Sequence, residues 1–294
     1  MTNMPPLPPA IEAPCHEFNS TASGRVSYYL DDTAGKTGQP PLLLLHSVNA
    51  APSAREMRPL FDHYRSERVI YAPDLPGFGR SERADREYSP GFYADFINEF
   101  IREVIGGPVD IVAFSLSAEF AARAINQAPD NVRSLALISP TGFSARLPPT
   151  GPATDRILRA VRLPVFGDGV YSMLTSRMSI RYFLKQSFDG EVPKGLVDYA
   201  YATSHQPGAK YAPFRFLAMK LFSADAFEAY YRPLELPVLA IHDTDPNISF
   251  ERLEEIVDQP NWQRVLITPT RGLPHWEKPA ETVAALDKFW QGLT

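Results

Sequence analysis

Cysteine is nearly missing: Cys15 is the only one in 294 residues, so no disulfide can form within the chain. It reads as a lone reduced thiol, and no Cys/His spacing suits a metal. Long apolar runs are missing too. The longest, such as Leu42 to Leu45, fall far short of the roughly 20 residues a membrane span needs. No clustered basic face accompanies the net charge of −5, which argues against a nucleic-acid footprint. The start, MTNMPPLPPAIEAP, lacks the basic residues and apolar stretch of a secretory signal. A cytoplasmic protein that does not insert into membranes is therefore expected, and a homo-oligomer is left open. No internal repeat occurs, and no glycine spacing forms a phosphate-binding loop, so no cofactor is expected.

What the chain does have is an alternation. The proline-rich residues 1–14 read as a flexible arm. Eight short β-rich runs follow, near 16–20, at Arg25–Leu30, Pro41–His46, Arg68–Ala72, Val109–Phe114, Ser134–Ser139, Pro237–His242 and Arg264–Thr268. Several are continuously apolar, as strands buried on both faces of a parallel sheet must be. Helical patterns lie between them. Phe92, Tyr93, Phe96, Ile97, Phe100, Ile101, Val104 and Ile105 recur at helical spacing before Gly106 and Gly107 stop the run. A helix of small residues follows Ser115, and a last helix is predicted from about Pro279 to Trp290. The pattern predicts an α/β fold with helices on both faces of the sheet.

From about 144 to 232 the alternation fails, and only helical patterns broken by Pro and Gly remain. This stretch holds 12 Lys and Arg against 7 Asp and Glu, a balance of +5 that leaves the rest at −10. It also holds 14 of the 34 Phe, Trp and Tyr residues. It reads as a helical cap inserted into a core of residues 15–143 and 233–294. Its aromatics serve equally well as the cap's own core.

Ala113-Phe114-Ser115-Leu116-Ser117 joins a buried strand to a helix. A serine on such a sharp turn projects its hydroxyl from the carboxyl edge of the sheet, and the residues two before and two after must be small. The spacing alone is weak, and Ser115 could equally be a helix N-cap. Two later residues add to it. Asp245 follows the penultimate predicted strand, and His275 lies after the last strand, in Leu273-Pro274-His275-Trp276-Glu277-Lys278-Pro279. Serine, acid and histidine, in that order and each after a strand, suit a nucleophile, an orienting acid and a general base.

These segments resemble the α/β-hydrolase superfamily over nearly the whole chain. Leu44 to Val48 looks like its segment after the third strand. Asp74-Leu75-Pro76-Gly77-Phe78-Gly79-Arg80-Ser81 looks like the loop after the fourth, and Ala113 to Ala118 looks like its nucleophile elbow. The resemblance implies an eight-stranded, mostly parallel sheet flanked by helices, with the cap inserted. It implies a serine hydrolase cleaving an ester, thioester or carbon–carbon bond of a small, apolar or aromatic substrate through an acyl-enzyme. Ser115 would attack, His275 would carry the proton, Asp245 would hold the imidazole, and the backbone N–H groups of Val48 and Leu116 would hold the oxyanion. Serine at 115 argues against the dehalogenases and epoxide hydrolases of the superfamily, which use Asp there. The chain departs from the family at Ser47, Ala113 and Ser117, where glycine is usual, and its short acid loop leaves Asp243 as a rival to Asp245. A ligand-binding or regulatory protein with little turnover, or a lyase using the same pocket, is the alternative.

Overall fold

The computed structural model describes residues 6–35 and 38–293. All eight expected strands form: β1 (Cys15–Ser20), β2 (Gly24–Asp31), β3 (Leu42–Leu45), β4 (Ile70–Pro73), β5 (Val109–Phe114), β6 (Val132–Ile138), β7 (Val238–His242) and β8 (Trp262–Leu266). They make one sheet in the order β1-β2-β4-β3-β5-β6-β7-β8. Only the pairings of β2 with β1 and with β4 are antiparallel.

The centre of the sheet is apolar on both faces. Alternate residues of β3 and β5 feed opposite layers: Leu43, Leu45, Ile111 and Ala113 pack on one side, Leu42, Leu44, Val112 and Phe114 on the other. Each fully buried leucine contributes about 1.5–3 kcal/mol. Asp110 is the polar exception in β5. Its carboxylate takes Arg68 Nη2 (2.5 Å), Arg133 Nε (2.9 Å) and Ser134 Oγ (2.5 Å), which satisfies a charge that burial would otherwise penalise.

The flanking helices are α1 (Arg58–Tyr64), α2 (Pro90–Phe100) and α3 (Ser117–Gln127) before β6, with α9 (Pro274–Glu277) and α10 (Pro279–Gln291) at the end. Helix α2 starts on Ser89, whose hydroxyl accepts the Phe92 N–H, and passes through one wide turn at Ile101–Ile105. Gly106, at φ 77°, then ends it.

Between β6 and β7 lie α4 (Pro152–Val161), α5 (Phe166–Leu174), α6 (Arg177–Gln186), α7 (Lys194–Ser204) and α8 (Tyr211–Leu217), with no strand among the described residues. These helices cover the carboxyl ends of the strands. The Tyr171 hydroxyl lies 3.4 Å from the Ala50 carbonyl of the loop after β3. A Cβ on Gly77, in the loop after β4, would meet Ala212 at 2.7 Å.

The arm departs from expectation. Residues 1–5 of it lie outside the described residues, but 6–14 are docked rather than free. Ala10 and Ile11 are fully buried. Ala10 donates its N–H to Tyr29 Oη at 2.7 Å, and Tyr199 of α7 donates to the Pro8 carbonyl at 3.0 Å. Prolines pre-set the extended backbone, so docking this segment costs little entropy.

Candidate active site

Strand β5 ends at Phe114, and Ser115 turns the chain into α3 with φ at 57°. Its N–H still donates to the Ile138 carbonyl (2.9 Å), and its own carbonyl already accepts the Ala118 N–H (3.1 Å). The residue thus belongs to strand and helix at once. This left-handed conformation is costly for a side chain other than glycine. The small neighbours explain how the turn closes. Ala113 and Ser117 are fully buried. The Ser117 hydroxyl donates to the His46 carbonyl, tying the elbow to the loop after β3. A serine where the family has glycine therefore makes a bond of its own.

The loop after β3 is held from within. His46 donates Nδ1–H to the Ser47 carbonyl (2.6 Å) and accepts the Leu75 N–H on Nε2 (2.9 Å). Burial lowers its pKa to about 4 and keeps it neutral. The Ser47 N–H donates to Glu56 (2.9 Å), and the Asn49 side chain bridges Ser47 Oγ (2.8 Å) and Glu56 (3.3 Å). Glu56 is enclosed, and burial raises its pKa to about 7. Val48 and Leu116 are buried, and neither backbone N–H donates to a protein acceptor among the described residues. Two unused donors in so closely bonded a region are exceptional.

The two acidic rivals have different duties. Asp243 accepts the Thr270 N–H (2.9 Å) and so ties the loop after β7 to the loop after β8. Asp245 Oδ1 accepts the N–H groups of Asn247 (2.7 Å) and Ile248 (3.0 Å), while Oδ2 faces Gly272. A Cβ on Gly272, which has φ 119°, would stand 2.6 Å from that oxygen. Burial raises the Asp245 pKa to about 6.

His275 is fully buried on α9, with its ring edge against Phe114, the neighbour of Ser115 (centroids 5.0 Å apart). Its Nε2–H donates to the Glu56 carbonyl (3.0 Å), and Nδ1 has no partner. Burial lowers its pKa to about 4. No hydrogen bond joins Ser115, His275 and Asp245 among the described residues. The expected relay is thus not assembled. The His275 ring is engaged by the Glu56 carbonyl and Phe114, and the residue left facing Asp245 is a glycine.

Sequence reasoning missed Glu56 and Gly272. Glu56 follows Ser53 at capping-box spacing, and Ser53 does cap its turn, so nothing distinguished it from a structural acid. Gly272 carries no chemistry, and only its place beside Asp245 gives it meaning. A groove of about 520 Å³ lies between Met178, Arg181, Tyr182, Lys185 and Gln186 of α6 and Arg271, the neighbour of Gly272, and none of Ser115, Asp245 or His275 lines it. No cluster of three or more His, Cys, Asp or Glu placed to hold a metal occurs among the described residues, and no helix there is long and apolar enough to cross a membrane.

The profile of the alpha/beta hydrolase family matches residues 42–286. No curated protein matches the chain. Among solved structures, the N-acyl homoserine lactonase AidH, complexed with N-butanoyl homoserine, is similar with a TM-score of 0.70 at 19% identity, covering 96% of this chain and 97% of that one. Cfl2 from Burkholderia cenocepacia gives 0.72 at 19% identity, covering 94% and 95%. A thermophilic esterase from Thermogutta terrifontis, with malate bound, gives 0.69 at 16% identity, covering 96% and 99%. At such identities these likenesses concern the fold.

Proposed function

The chain belongs to the alpha/beta hydrolase family, and on that premise we propose that it is a serine hydrolase acting through Ser115 on an ester, thioester or carbon–carbon bond next to the carbonyl of a small substrate. The observation that carries this reading is the backbone of Ser115, held at φ 57° on the strand-to-helix turn. Strain at a non-glycine residue persists where the surroundings over-determine it, and such sites are often functional. The free N–H groups of Leu116 and Val48 support the same reading, because a developing oxyanion needs donors that nothing else occupies. Each is worth about 3 kcal/mol in the transition state.

In this mechanism Ser115 Oγ adds to the carbonyl carbon, its proton passes to His275, and the imidazole returns it to the leaving group as the acyl-enzyme forms. Water then releases the acyl group by the same steps. Asp245 stabilises the charged imidazole. To serve, His275 has to exchange the Glu56 carbonyl for the serine hydroxyl.

A second reading, a ligand-binding member with little turnover or a lyase using the same pocket, draws on a specific observation. The imidazole is bound elsewhere, and glycine fills the place beside the acid. Labelling with a fluorophosphonate separates the two. The hydrolase reading expects labelling at Ser115 that Ser115→Ala abolishes and His275→Gln slows by about 100-fold. A folded wild type that fails to label at Ser115 overturns it. Labelling untouched by His275→Gln removes His275 as the base.

A further inference from the structure

Arg83 lies just beyond the Asp74–Ser81 loop and is a half-buried cation without a bonded partner among the described residues. Its Nη2 is enclosed and unbonded, and its side chain makes no ion pair or hydrogen bond among the described residues. Asp74 is the largest favourable charge acting on it, but both Asp74 oxygens are taken, Oδ1 by the Ala54 N–H (2.8 Å) and Oδ2 by the Arg80 N–H (2.9 Å). Other enclosed arginines show the contrast. Arg68, for example, meets Asp110 at 2.5 Å. A partly desolvated guanidinium whose nearest carboxylate is already engaged is left short of hydrogen-bond acceptors, and an anion would complete it.

The surroundings define what would fit. Arg83 borders a narrow cleft between core and cap, with Ala50 and Pro52 on the core side and Tyr171 and Ser204 on the cap side. Its enclosed part is about 10 Å³, enough for a group the size of water. That is room for one oxygen atom of a larger ligand. The Tyr171 hydroxyl does not compete for the guanidinium, because it already faces the carbonyls of Ser204 and Ala209, each at 3.0 Å. The arginine backbone is clamped as well. A Cβ on Gly208, which has φ 75°, would stand 2.3 Å from the Arg83 carbonyl oxygen, so the cap lies directly on it. Ala50 is two residues past Val48, and the cleft therefore opens beside the loop proposed to hold the oxyanion.

We propose that this cleft is a carboxylate-binding subsite: the Arg83 guanidinium receives one oxygen of a carboxylate carried by the ligand and pins that ligand between core and cap. A planar guanidinium is the side chain best matched to a carboxylate. The subsite goes beyond the hydrolase reading and does not depend on Ser115 turning over. A single cation favours a monoanionic group over a dianion.

Acetate is the probe. The full chain is titrated with acetate at constant ionic strength, with acetamide as the uncharged control, following the thermal unfolding midpoint and the heat of binding. Wild type is expected to show a saturable rise in midpoint with acetate and none with acetamide. Arg83→Lys should weaken acetate binding about tenfold, and Arg83→Met should abolish it while the protein without acetate stays at least as stable. Absence of a saturable response in wild type overturns the proposal, whatever the variants do. An unchanged response in folded Arg83→Met or Arg83→Lys overturns it too. Fluorophosphonate labelling of Ser115 is read separately, so loss of the subsite and loss of the nucleophile are told apart.

Discussion

His275 donates its Nε2–H to the main-chain carbonyl of Glu56 at 3.0 Å, and its Nδ1 faces no partner in a fully buried site. Burial lowers its pKa from 6.5 to about 4. The neutral ring is thus favoured by folding. That contribution is complete above the unfolded value and is lost as pH falls from 6.5 towards 4, where it amounts to about 3 kcal/mol. The imidazole of His275 should stay neutral at pH 6, read by its ring-proton NMR signal with His275→Gln as the assignment control. Titration near pH 7 would show an imidazole poised as a base, contrary to the geometry.

Ser115 should be released from strain by glycine. At φ 57° a serine costs about 1–3 kcal/mol that glycine avoids. Ser115→Gly is expected to raise the urea midpoint, and Ser115→Ala to leave it close to wild type, while both lose fluorophosphonate labelling. A destabilised Ser115→Gly would mean that the hydroxyl contributes more to the fold than the turn costs.

The comparison of sequence with structure turns on which signals are periodic and which are spatial. The central strands were legible because Leu42–Leu45 and, Asp110 apart, Val109–Phe114 are apolar on both faces and have no other place to go. The elbow was legible because Ser115 sits between a strand and a helix of small residues, a pattern carried by contiguous positions. The docked arm was not, because proline content says nothing about whether Ala10 finds Tyr29. The base was hardest. His275 has the right residue type and order, yet residue type and order do not say that its ring meets the Glu56 carbonyl, 219 positions earlier in the chain. Arg83 was invisible for a related reason: an arginine in a loop looks solvated until the cap closes over it.

Gly272 gives a direct way to ask whether Asp245 lacks its partner. Gly272→Ala should lose about 1–3 kcal/mol, since φ 119° is unfavourable for alanine and the new Cβ presses on Asp245 Oδ2. Gly79→Ala should be worse, because its Cβ would fall 1.9 Å from Asp74 Cγ in a fully buried loop. Gly272→His places an imidazole against Asp245. If the second functional reading holds, this variant should label at Ser115 about 100-fold faster than wild type, with the rate rising through the ordinary histidine pKa. If His275 is the base already, the added imidazole should bring no gain.

Glu56 joins the two halves of the site, since its carboxylate takes the Ser47 N–H beside Val48 and its carbonyl takes His275. Its pKa is raised from 4.5 to about 7, with burial outweighing the bonds from Ser47 and Asn49. For a carboxylate raised in the folded state, the native protein holds the proton more tightly. Its contribution is full below pH 4.5 and is lost as pH rises through 7, a change of about 3 kcal/mol. Glu56→Gln removes that titration while keeping a side-chain oxygen for the Ser47 N–H. The variant should therefore match wild type at pH 5 and exceed it at pH 8, measured as the free energy of urea unfolding at each pH. Histidines 46 and 275 slope the other way between pH 4 and 6.5, so the difference between variant and wild type carries the information, not either curve alone. A constant difference across this range would mean that Glu56 is ionised throughout, with the loop around Val48 supplying more stabilisation than its hydrogen bonds account for.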